Sequence, residues 1–236
     1  MSFLIAVYVN EGIVLASDRR TTYSNTVEVE GNAIQRIGIH TTNSTDKTFM
    51  CPNGAGISTC GEASLQGAPI TGYIQEVIRT QISEDCDVEE IPNLLVQYFQ
   101  QLPIVPDTNF IVAGYKSVDE KKVQKVYKVN VKTSAVTAVD TTNQGATWDG
   151  ESLTLTRLLL NVALVDQNGN CNPLPFEPIL FEYFTLQDAV DFARYAVETT
   201  IQTMHFKNVV ETVGGEVDIL VITPDETKWL QKSELR

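Results

Sequence analysis

The chain has 236 residues, of which 43% are hydrophobic and 20% charged, and its formal net charge is −13. This length and composition are typical of one large domain, residues 1–236, and no apolar run approaches the roughly 20 residues that span a membrane. The negative charge would repel a phosphate backbone, so we predict no nucleic-acid partner and no membrane partner.

Residues that commonly bind metals are dispersed along the chain. It contains four cysteines and two histidines, and none of them forms a Cys-x-x-Cys pattern or a related one. We therefore predict no metal site and no cofactor, and we expect buried, reduced thiols. The start of the chain lacks the basic segment and cleavage site of a signal peptide, which predicts a cytoplasmic protein.

Two apolar runs, Phe3–Val9 and Ile13–Ala16, open the chain and flank a short segment, Asn10-Glu11-Gly12. This pattern predicts a β-hairpin in which Gly12 adopts a positive φ. With a three-residue loop, residue i pairs with residue 22 − i. Ser2 then lies opposite Arg20 at the open end of the hairpin.

Side chains alternate between the two faces of a strand, so this register predicts that Ser2, Asp18 and Arg20 share one face. Removal of Met1 would make Ser2 the first residue and place a free α-amine beside its hydroxyl. The unperturbed pKa of such an amine is about 7.7–8.0, so it can act as a base at neutral pH. An N-terminal residue of this kind can supply both nucleophile and base.

A polar stretch, Thr21–Thr45, follows the hairpin, and we predict an exposed loop that contains one strand, Ala33–Ile39. A second hairpin comes next. Its predicted strands, Thr48–Cys51 and Ala55–Cys60, flank a turn made by Pro52-Asn53-Gly54, and these residue types favour turns.

The remainder of the chain alternates between helical and strand-like patterns. Helical spacing of apolar residues covers Leu65–Ile82, Val88–Leu102, Glu151–Val165 and Thr185–Met204, and strand patterns cover Asn109–Tyr115, Val123–Val131, Ala135–Asp140, Val217–Thr223 and Lys228–Leu230. The last helix begins with the spacing of a capping box, Thr185 to Asp188. We interpret Gly145–Gly150 as a loop and Asp166–Pro178 as a surface linker.

The order of these elements is strands, two helices, strands, two helices, strands. The absence of a regular βαβ alternation argues against a doubly wound parallel sheet. We predict an α+β protein in the form of a four-layer αββα sandwich, in which two antiparallel sheets stack face to face and a pair of helices flanks each sheet.

Several motifs, in order along the chain, resemble the β-type subunits of proteasomes and their bacterial relatives, which are N-terminal nucleophile (Ntn) hydrolases. The segment Gly12–Thr22 resembles the second strand of that family. Asp46–Phe49 and Gly56–Gly61 resemble its lysine strand and the glycine that starts its first helix, and Gly214–Asp225 resembles its C-terminal strand. The resemblance implies the Ntn-hydrolase fold and hydrolysis of peptide or amide bonds in a peptide or protein substrate.

The resemblance also implies roles for individual residues. The catalytic positions are Ser2, Asp18, Lys47 and Gly61, the supporting position is Arg20, and the substrate-binding positions are Thr21, Thr22, Thr59 and Ala63. Ser2 Oγ would attack the carbonyl carbon while the α-amine takes its proton. Lys47, oriented by Asp18, would favour the alkoxide, and the Gly61 N–H would stabilise the oxyanion. The small pocket residues would accept a bulky substrate side chain.

The sequence departs from the family pattern at several points. Serine replaces the usual threonine, and the Arg20–Lys47 segment is longer. The family has an Asp-x-x-Ser motif before the terminal Gly-Gly, and the corresponding positions here hold Val210 and Val213. The supporting serine of the family has no clear counterpart near Gln144–Thr147. These departures concern the residues that surround the N-terminal amine.

Two other functions use the same fold. An acyl-enzyme on Ser2 could be resolved by an amine, which would make the protein a transpeptidase or ligase. Alternatively, the chain could be a catalytically inactive structural subunit of a ring. The resemblance implies a homo-oligomer, either a ring or a stacked assembly. The sequence has no nucleotide-binding motif, so unfolding of a protein substrate would require a separate ATPase.

Overall fold

The structure is a computed structural model that describes residues 2–29 and 32–233, with the backbone alone at residues 25–29 and 32–37. Its strands are β1 (Phe3–Val9), β2 (Gly12–Asp18), β3 (Thr21–Val29), β4 (Asn32–Thr42), β5 (Thr48–Met50), β6 (Gly56–Gly61), β7 (Ser64–Leu65), β8 (Ala68–Pro69), β9 (Thr108–Val118), β10 (Lys121–Asn130), β11 (Ala135–Val139), β12 (Gly145–Gly150), β13 (Ala163–Val165), β14 (Cys171–Pro173), β15 (Val217–Ile222) and β16 (Thr227–Gln231). Its helices are α1 (Ile70–Gln81), α2 (Ile91–Gln100), α3 (Leu153–Leu159) and α4 (Leu186–His205), with a short 3-10 helix at Phe181–Tyr183.

Two five-stranded antiparallel sheets form the centre of the molecule. The first has the strand order β12-β1-β2-β15-β16, and the second has the order β11-β10-β9-β6-β5. Three two-stranded sheets, β3-β4, β7-β8 and β13-β14, accompany them. The mixture of helices with antiparallel sheets is the α+β class that the sequence predicts.

The core consists of three apolar clusters, and strand β1 contributes to two of them. Phe3 and Ile5 pack in a cluster with side chains of α4, whereas Leu4 and Ala6 pack in a cluster with Ile111 of the second sheet. A third cluster joins the second sheet to α1 and α2. Because successive side chains point to opposite faces, a strand that is buried on both faces must be apolar throughout, as β1 is.

The register of the first hairpin differs from the predicted one by a single residue. Val9 pairs with Gly12 and Leu4 with Ser17, so residue i pairs with residue 21 − i and the turn has two residues. Gly12 lies in β2, where a Cβ atom would come within 2.8 Å of the Ile222 carbonyl oxygen. The glycine is therefore required by the close approach of β15. The prediction that it serves a positive φ in the turn was wrong.

This register also corrects the predicted shared face. Asp18 follows Val14 and Ala16 on the face that packs toward α4, whereas Ser2 precedes Leu4 and Ala6 on the opposite face. Ser2 and Asp18 therefore lie on different faces of the hairpin, because a one-residue shift exchanges the faces of an entire strand.

Other differences lie after β11. Gly145–Gly150, predicted to be a loop, is strand β12 and pairs with β1. Its glycines permit the close approach, since a Cβ atom at Gly145 would lie 2.9 Å from Tyr8 Oη. The predicted helix Glu151–Val165 ends at Leu159, and its last residues form β13, which pairs with β14 inside the predicted linker.

Two further corrections concern the neighbourhood of the candidate site. The stretch predicted to be an exposed loop with one strand, Thr21–Thr45, contains two long strands, β3 and β4, which pair antiparallel. The first helix begins at Ile70, and the small β7-β8 hairpin separates it from Gly61. Gly61 therefore does not start a helix.

The last helix begins as the sequence predicts. The Thr185 side chain accepts a hydrogen bond from the Asp188 N–H at 3.2 Å, and the Asp188 carboxylate accepts one from the Thr185 N–H at 2.8 Å. This reciprocal pair is a capping box, which is confirmed with Asp in place of the usual Glu or Gln. Among residues 2–29 and 32–233, no helix is long and apolar enough to cross a membrane.

Candidate active site

A buried carboxylate, Asp18, lies at the end of β2 and collects hydrogen bonds from three backbone N–H groups. Phe3 donates to Oδ1 at 3.0 Å, and Arg20 and Gly214 donate to Oδ2 at 3.1 and 2.9 Å. Charge-assisted bonds of this kind stabilise the ionised form of a carboxylate. Asp18 is thus held rigidly between β1 and the segment that leads into β15. The sequence interpretation did not include the contributions of Phe3 and Gly214.

Lys47, which lies just before β5, is the cation that binds the Asp18 carboxylate. Its Nζ donates to both carboxylate oxygens of Asp18 at 2.8 Å, and also to the Arg20 carbonyl oxygen. The Lys47 side chain is 3% exposed. Burial lowers the pKa of the Lys47 ammonium, and the Asp18 carboxylate opposes that effect. Because these acceptors use all three N–H donors, Lys47 acts on its surroundings through its charge.

A small cavity of about 20 Å³ brings most of the predicted site residues together. Its walls include Ser2, Thr21, Thr22, Lys47, Thr59, Gly61 and Ala63. Asp18 does not line the cavity, because it lies behind Lys47 and has no exposed surface. The arrangement places Ser2 and the buried Lys47 on the walls of one cavity.

An open cleft of about 670 Å³ adjoins the same residues. Its lining includes Ser2, Cys60 and Gly61, three residues of β3 (Thr22, Tyr23 and Ser24), and residues 62–66, Ile104, Asp107, Asn109, Asp149 and Gly150. Strand β3 pairs with β4 on one side only, within the described residues. The cleft is therefore bordered by an unpaired strand edge, to which an extended peptide can bind.

Ser2 is 7% exposed and is anchored through its backbone. Its carbonyl oxygen accepts a hydrogen bond from the Glu151 N–H at 2.7 Å, and a Cβ atom at Gly150 would lie 1.9 Å from that oxygen. In the part of the chain that the structure describes, no hydrogen bond to Ser2 Oγ is found. The hydroxyl is thus available to a bound molecule.

Gly61 ends β6 with a φ of +118°, a conformation that L residues with a side chain rarely adopt. A Cβ atom there would lie 2.3 Å from the Asp107 carbonyl oxygen. Gly61 is therefore required both by its backbone conformation and by the close approach of the chain before β9. These two constraints hold its peptide group at the wall of the cavity.

The predicted supporting residue, Arg20, contributes through its backbone. Its N–H binds Asp18 and its carbonyl oxygen accepts from Lys47, whereas its side chain turns away and forms an ion pair with Glu211 at 2.5 Å. Hydrogen bonds from Arg20 and His205 lower the pKa of Glu211. Arg20 is accordingly absent from the lining of the cavity.

The preceding residue, Arg19, has the buried side-chain ion pairs, and the sequence interpretation missed it. Its guanidinium lies 2.7 Å from Asp46 and 2.7 Å from Asp218, which is fully buried. Lys232 binds the same two carboxylates at 2.7 and 3.0 Å. The sequence held one signal of this network, since Asp218 stands in an otherwise apolar run, Val217–Ile222. A buried carboxylate requires a partner, so a cation could have been expected beside it.

No protein-family model matches the chain, and no curated protein matches it. Solved structures are similar to it. Anbu from Yersinia bercovieri, described as an ancestral beta-subunit, aligns with a TM-score of 0.59 at 12% identity, over 98% of this chain and 88% of that one. Anbu from Hyphomicrobium sp. strain MC1 aligns with a TM-score of 0.56 at 12% identity, over 98% and 88% of the two chains. The chain therefore shares the fold of the Anbu proteins.

Proposed function

We propose that this protein is a cytoplasmic, proteasome-like N-terminal serine hydrolase that cleaves peptide or amide bonds. The observation that carries the proposal is the buried Lys47–Asp18 pair, whose lysine lines the same small cavity as Ser2. A buried, charged lysine is costly unless it is paired. Lys47 lines the same cavity as Ser2, whose hydroxyl has no hydrogen-bond partner among the described residues, and this supports a catalytic role for the lysine.

The proposal includes the four-layer arrangement predicted for the fold. Three apolar clusters support it, one between α3-α4 and the first sheet, one between the two sheets, and one between the second sheet and α1-α2. In this arrangement residues 1–236 form one domain. The candidate site lies at the end of the two stacked sheets where β1, β2 and β6 meet.

The chemistry begins after Met1 is removed. Ser2 Oγ attacks the substrate carbonyl carbon, its proton moves to the α-amine, and a tetrahedral intermediate forms. Collapse of that intermediate breaks the C–N bond, and the α-ammonium returns the proton to the leaving amine. Water then attacks the resulting ester, the α-amine takes a proton from the water, and loss of the acid restores the Ser2 hydroxyl.

Protein groups supply the electrostatic stabilisation of these steps. The Lys47 ammonium favours the Ser2 alkoxide, while Asp18 holds Lys47 in place through two hydrogen bonds of 2.8 Å. The N–H of Gly61 is proposed to stabilise the oxyanion, and removal of one such donor typically costs a factor of about 10²–10³ in rate. An extended substrate would pair with the unpaired edge of β3 at Thr22, and Thr21, Thr59 and Ala63 would surround a side chain.

The decisive experiment combines intact mass with nucleophile variants. We expect the purified protein to lack Met1 and to carry an unblocked Ser2. Fluorogenic peptides should be hydrolysed by the native protein and by Ser2→Thr, and not by Ser2→Ala. A mass that includes Met1, or equal turnover by Ser2→Ala, contradicts the proposal and favours the structural subunit. Addition of an amine acceptor separates hydrolysis from transpeptidation through the products.

We also propose that the protein assembles with further copies of itself. A single region, residues 153–183, presents many exposed large apolar side chains. They are Leu153, Leu158, Leu160, Val162, Leu164, Val165, Leu174, Phe176, Leu180 and Tyr183. The β13-β14 hairpin in this region is paired with no other strand among the described residues, and such a hairpin is marginally stable alone. Exposed apolar regions of this kind mark protein interfaces.

The assembly is tested by light scattering after gel filtration. A double variant, Leu164→Glu with Val165→Glu, should shift the native species to a smaller mass, because charge would enter the proposed contact. Val118→Glu, at an exposed position at the end of β9, is the control and should leave the mass unchanged. A native protein that is monomeric would contradict the proposal. A separate ATPase would still be needed to unfold protein substrates.

A further inference from the structure

The proposed mechanism requires a group that stabilises the protonated α-amine of Ser2. The family positions that would support it hold Val210 and Val213, and neither lines the cavity or the cleft at Ser2. An amine that accepts a proton during the reaction becomes an ammonium, and a nearby carboxylate would stabilise it. A carboxylate on the same face of the sheet as Ser2 would give this support.

Asp149, in the adjacent strand β12, meets this requirement. It pairs with Leu4, and Phe3 pairs with Gly150, so Asp149 lies on the face that Leu4 shares with Ser2. Ser2 and Asp149 are diagonal neighbours across the two strands, a relationship that corresponds to about 7–8 Å between Cα atoms. Both residues line the open cleft.

The Asp149 carboxylate is fixed by its neighbours. Its Oδ1 accepts hydrogen bonds from the Gly150 N–H at 2.7 Å and from Asn109 Nδ2 at 3.4 Å. Its Oδ2 lies 3.4 Å from Lys128 Nζ, and its side chain is 22% exposed. The pKa of the Cys60 thiol, which lines the same cleft, is raised to about 12, first by burial and then by the charge of Asp149.

We infer that Asp149 is a positioning residue that holds the protonated α-amine of Ser2 and so supplies the support that Val210 and Val213 cannot give. The inference rests on the proposed function for its catalytic consequence. Other charged or titratable groups line the cavity and the cleft at Ser2 or bind residues that do. They are Asp18, Asp46, Lys47, Cys60, Glu62, Asp107 and Lys128. Of the carboxylates among them, Asp18 and Asp46 are paired with buried cations, whereas Glu62 and Asp107 are exposed to solvent, which weakens their interaction with an ammonium.

The direct test measures the pKa of the Ser2 amine and does not depend on activity. Competitive acetylation of the α-amine across pH, read by mass spectrometry, reports its protonation. We expect Asp149→Asn to lower this pKa by about 1 pH unit, because the ammonium loses an opposite charge. Lys128→Met should raise it, because Asp149 loses its competing cation. Asp107→Asn is the matched control, since it removes a carboxylate of the same cleft whose side chain is 58% exposed, and it should leave the pKa unchanged.

The pH dependence of hydrolysis provides the second readout. The amine must be unprotonated to act as a base, so activity rises with pH through its pKa. Asp149→Asn should therefore move the acidic limb of kcat/KM to lower pH, an effect that a purely structural role would not produce. An amine pKa that is the same in Asp149→Asn and the native protein overturns the inference. A shifted amine pKa in a protein that hydrolyses nothing supports the inference and defeats the proposed function.

Discussion

Two buried ionic networks lie side by side at the end of β2, and they differ in what they face. Asp18 and Lys47 form the first, and Lys47 lines the cavity at Ser2. Arg19 and Asp218 form the second, together with Asp46 and Lys232. Both contain a fully buried carboxylate, and each has one residue on the cavity wall, a cationic residue (Lys47) in the first and an acidic residue (Asp46) in the second.

The difference shows that burial and pairing alone do not identify a catalytic group. A buried ion pair is weak evidence for stability, since desolvation offsets much of the Coulomb attraction. The Arg19 network joins the ends of β2 and β15 to the segment before β5, and we expect its role to be structural. Only in the Lys47 network does the cationic residue line the cavity with Ser2, because neither Arg19 nor Lys232 is among the lining residues, and this makes Lys47 the candidate.

The largest expected effect comes from Lys47→Met. This change removes the charge that favours the alkoxide and should reduce kcat/KM by a factor of about 10²–10³ or more. It also leaves Asp18 buried without its cation, so the free energy of unfolding should fall by about 3–5 kcal/mol. Peptide hydrolysis and urea unfolding measure the two quantities. Lys232→Met is the control, and a similar loss of activity there would contradict the separation of the networks.

The complementary change is Asp218→Asn in the second network. Arg19 and Lys232 would then share only Asp46, and removal of one partner from a buried pair typically lowers the free energy of unfolding by about 3–5 kcal/mol. Hydrolysis by the folded variant, measured well below its melting temperature, should stay close to that of the native protein. A specific loss of kcat in a fully folded Asp218→Asn protein would assign this network to catalysis as well.

Gly214 contacts both networks, and its substitution should change the free energy of unfolding by a smaller amount. Its N–H binds Asp18, and its carbonyl oxygen accepts from the N–H groups of Arg19 and Arg20 at 3.0 and 2.8 Å. A Cβ atom there would lie 2.5 Å from Arg20 Cζ. Gly214→Ala should cost about 1–3 kcal/mol in unfolding free energy by overpacking.

Gly72→Ala supplies the matched control for this prediction. Gly72 lies in α1 with no atom within 4 Å of the added Cβ, so alanine should stabilise the protein by about 1 kcal/mol. Chemical denaturation of both variants checks the pair. If both substitutions changed the free energy of unfolding by the same amount, the site at Gly214 would have room for a Cβ atom beside Arg20, which contradicts the prediction.

The smallest expected effect comes from a third ionic network, in which the partly exposed Glu89 binds Lys116 and Lys125. Hydrogen bonds from Lys116 and Lys125 lower the pKa of Glu89 to about 2. A carboxylate with a depressed pKa in the folded state contributes stability above its unfolded pKa of about 4.3, and that contribution is lost as the pH falls toward 2. The difference in unfolding free energy between the native protein and Glu89→Gln should therefore shrink below about pH 4. A difference that is constant with pH would exclude this role.

The candidate site could be predicted in part from the sequence. Motif spacing identified Ser2, Lys47 and Gly61, and the structure places all three on one small cavity. The predicted geometry behind them was different, because Asp18 reaches Lys47 from the opposite face of the hairpin. Neither the roles of the Arg20 backbone and of Gly214 nor the position of Asp149 could be obtained from local patterns, since all depend on segments distant in sequence.

By itself, the sequence determined the order of the four helices and of the central strands other than β12, the apolar character of those strands and the capping box at Thr185. These features depend on local periodicity and on hydrogen bonds between neighbouring residues. Only the tertiary structure decided the register of β1 with β2 and the pairing of β12 with β1. It also decided that Arg19 forms buried side-chain ion pairs, while Arg20 binds Asp18 and Lys47 through its backbone. The physical reason is that a glycine serving a tight turn and one serving a close approach between strands look alike in sequence, while their long-range partners differ.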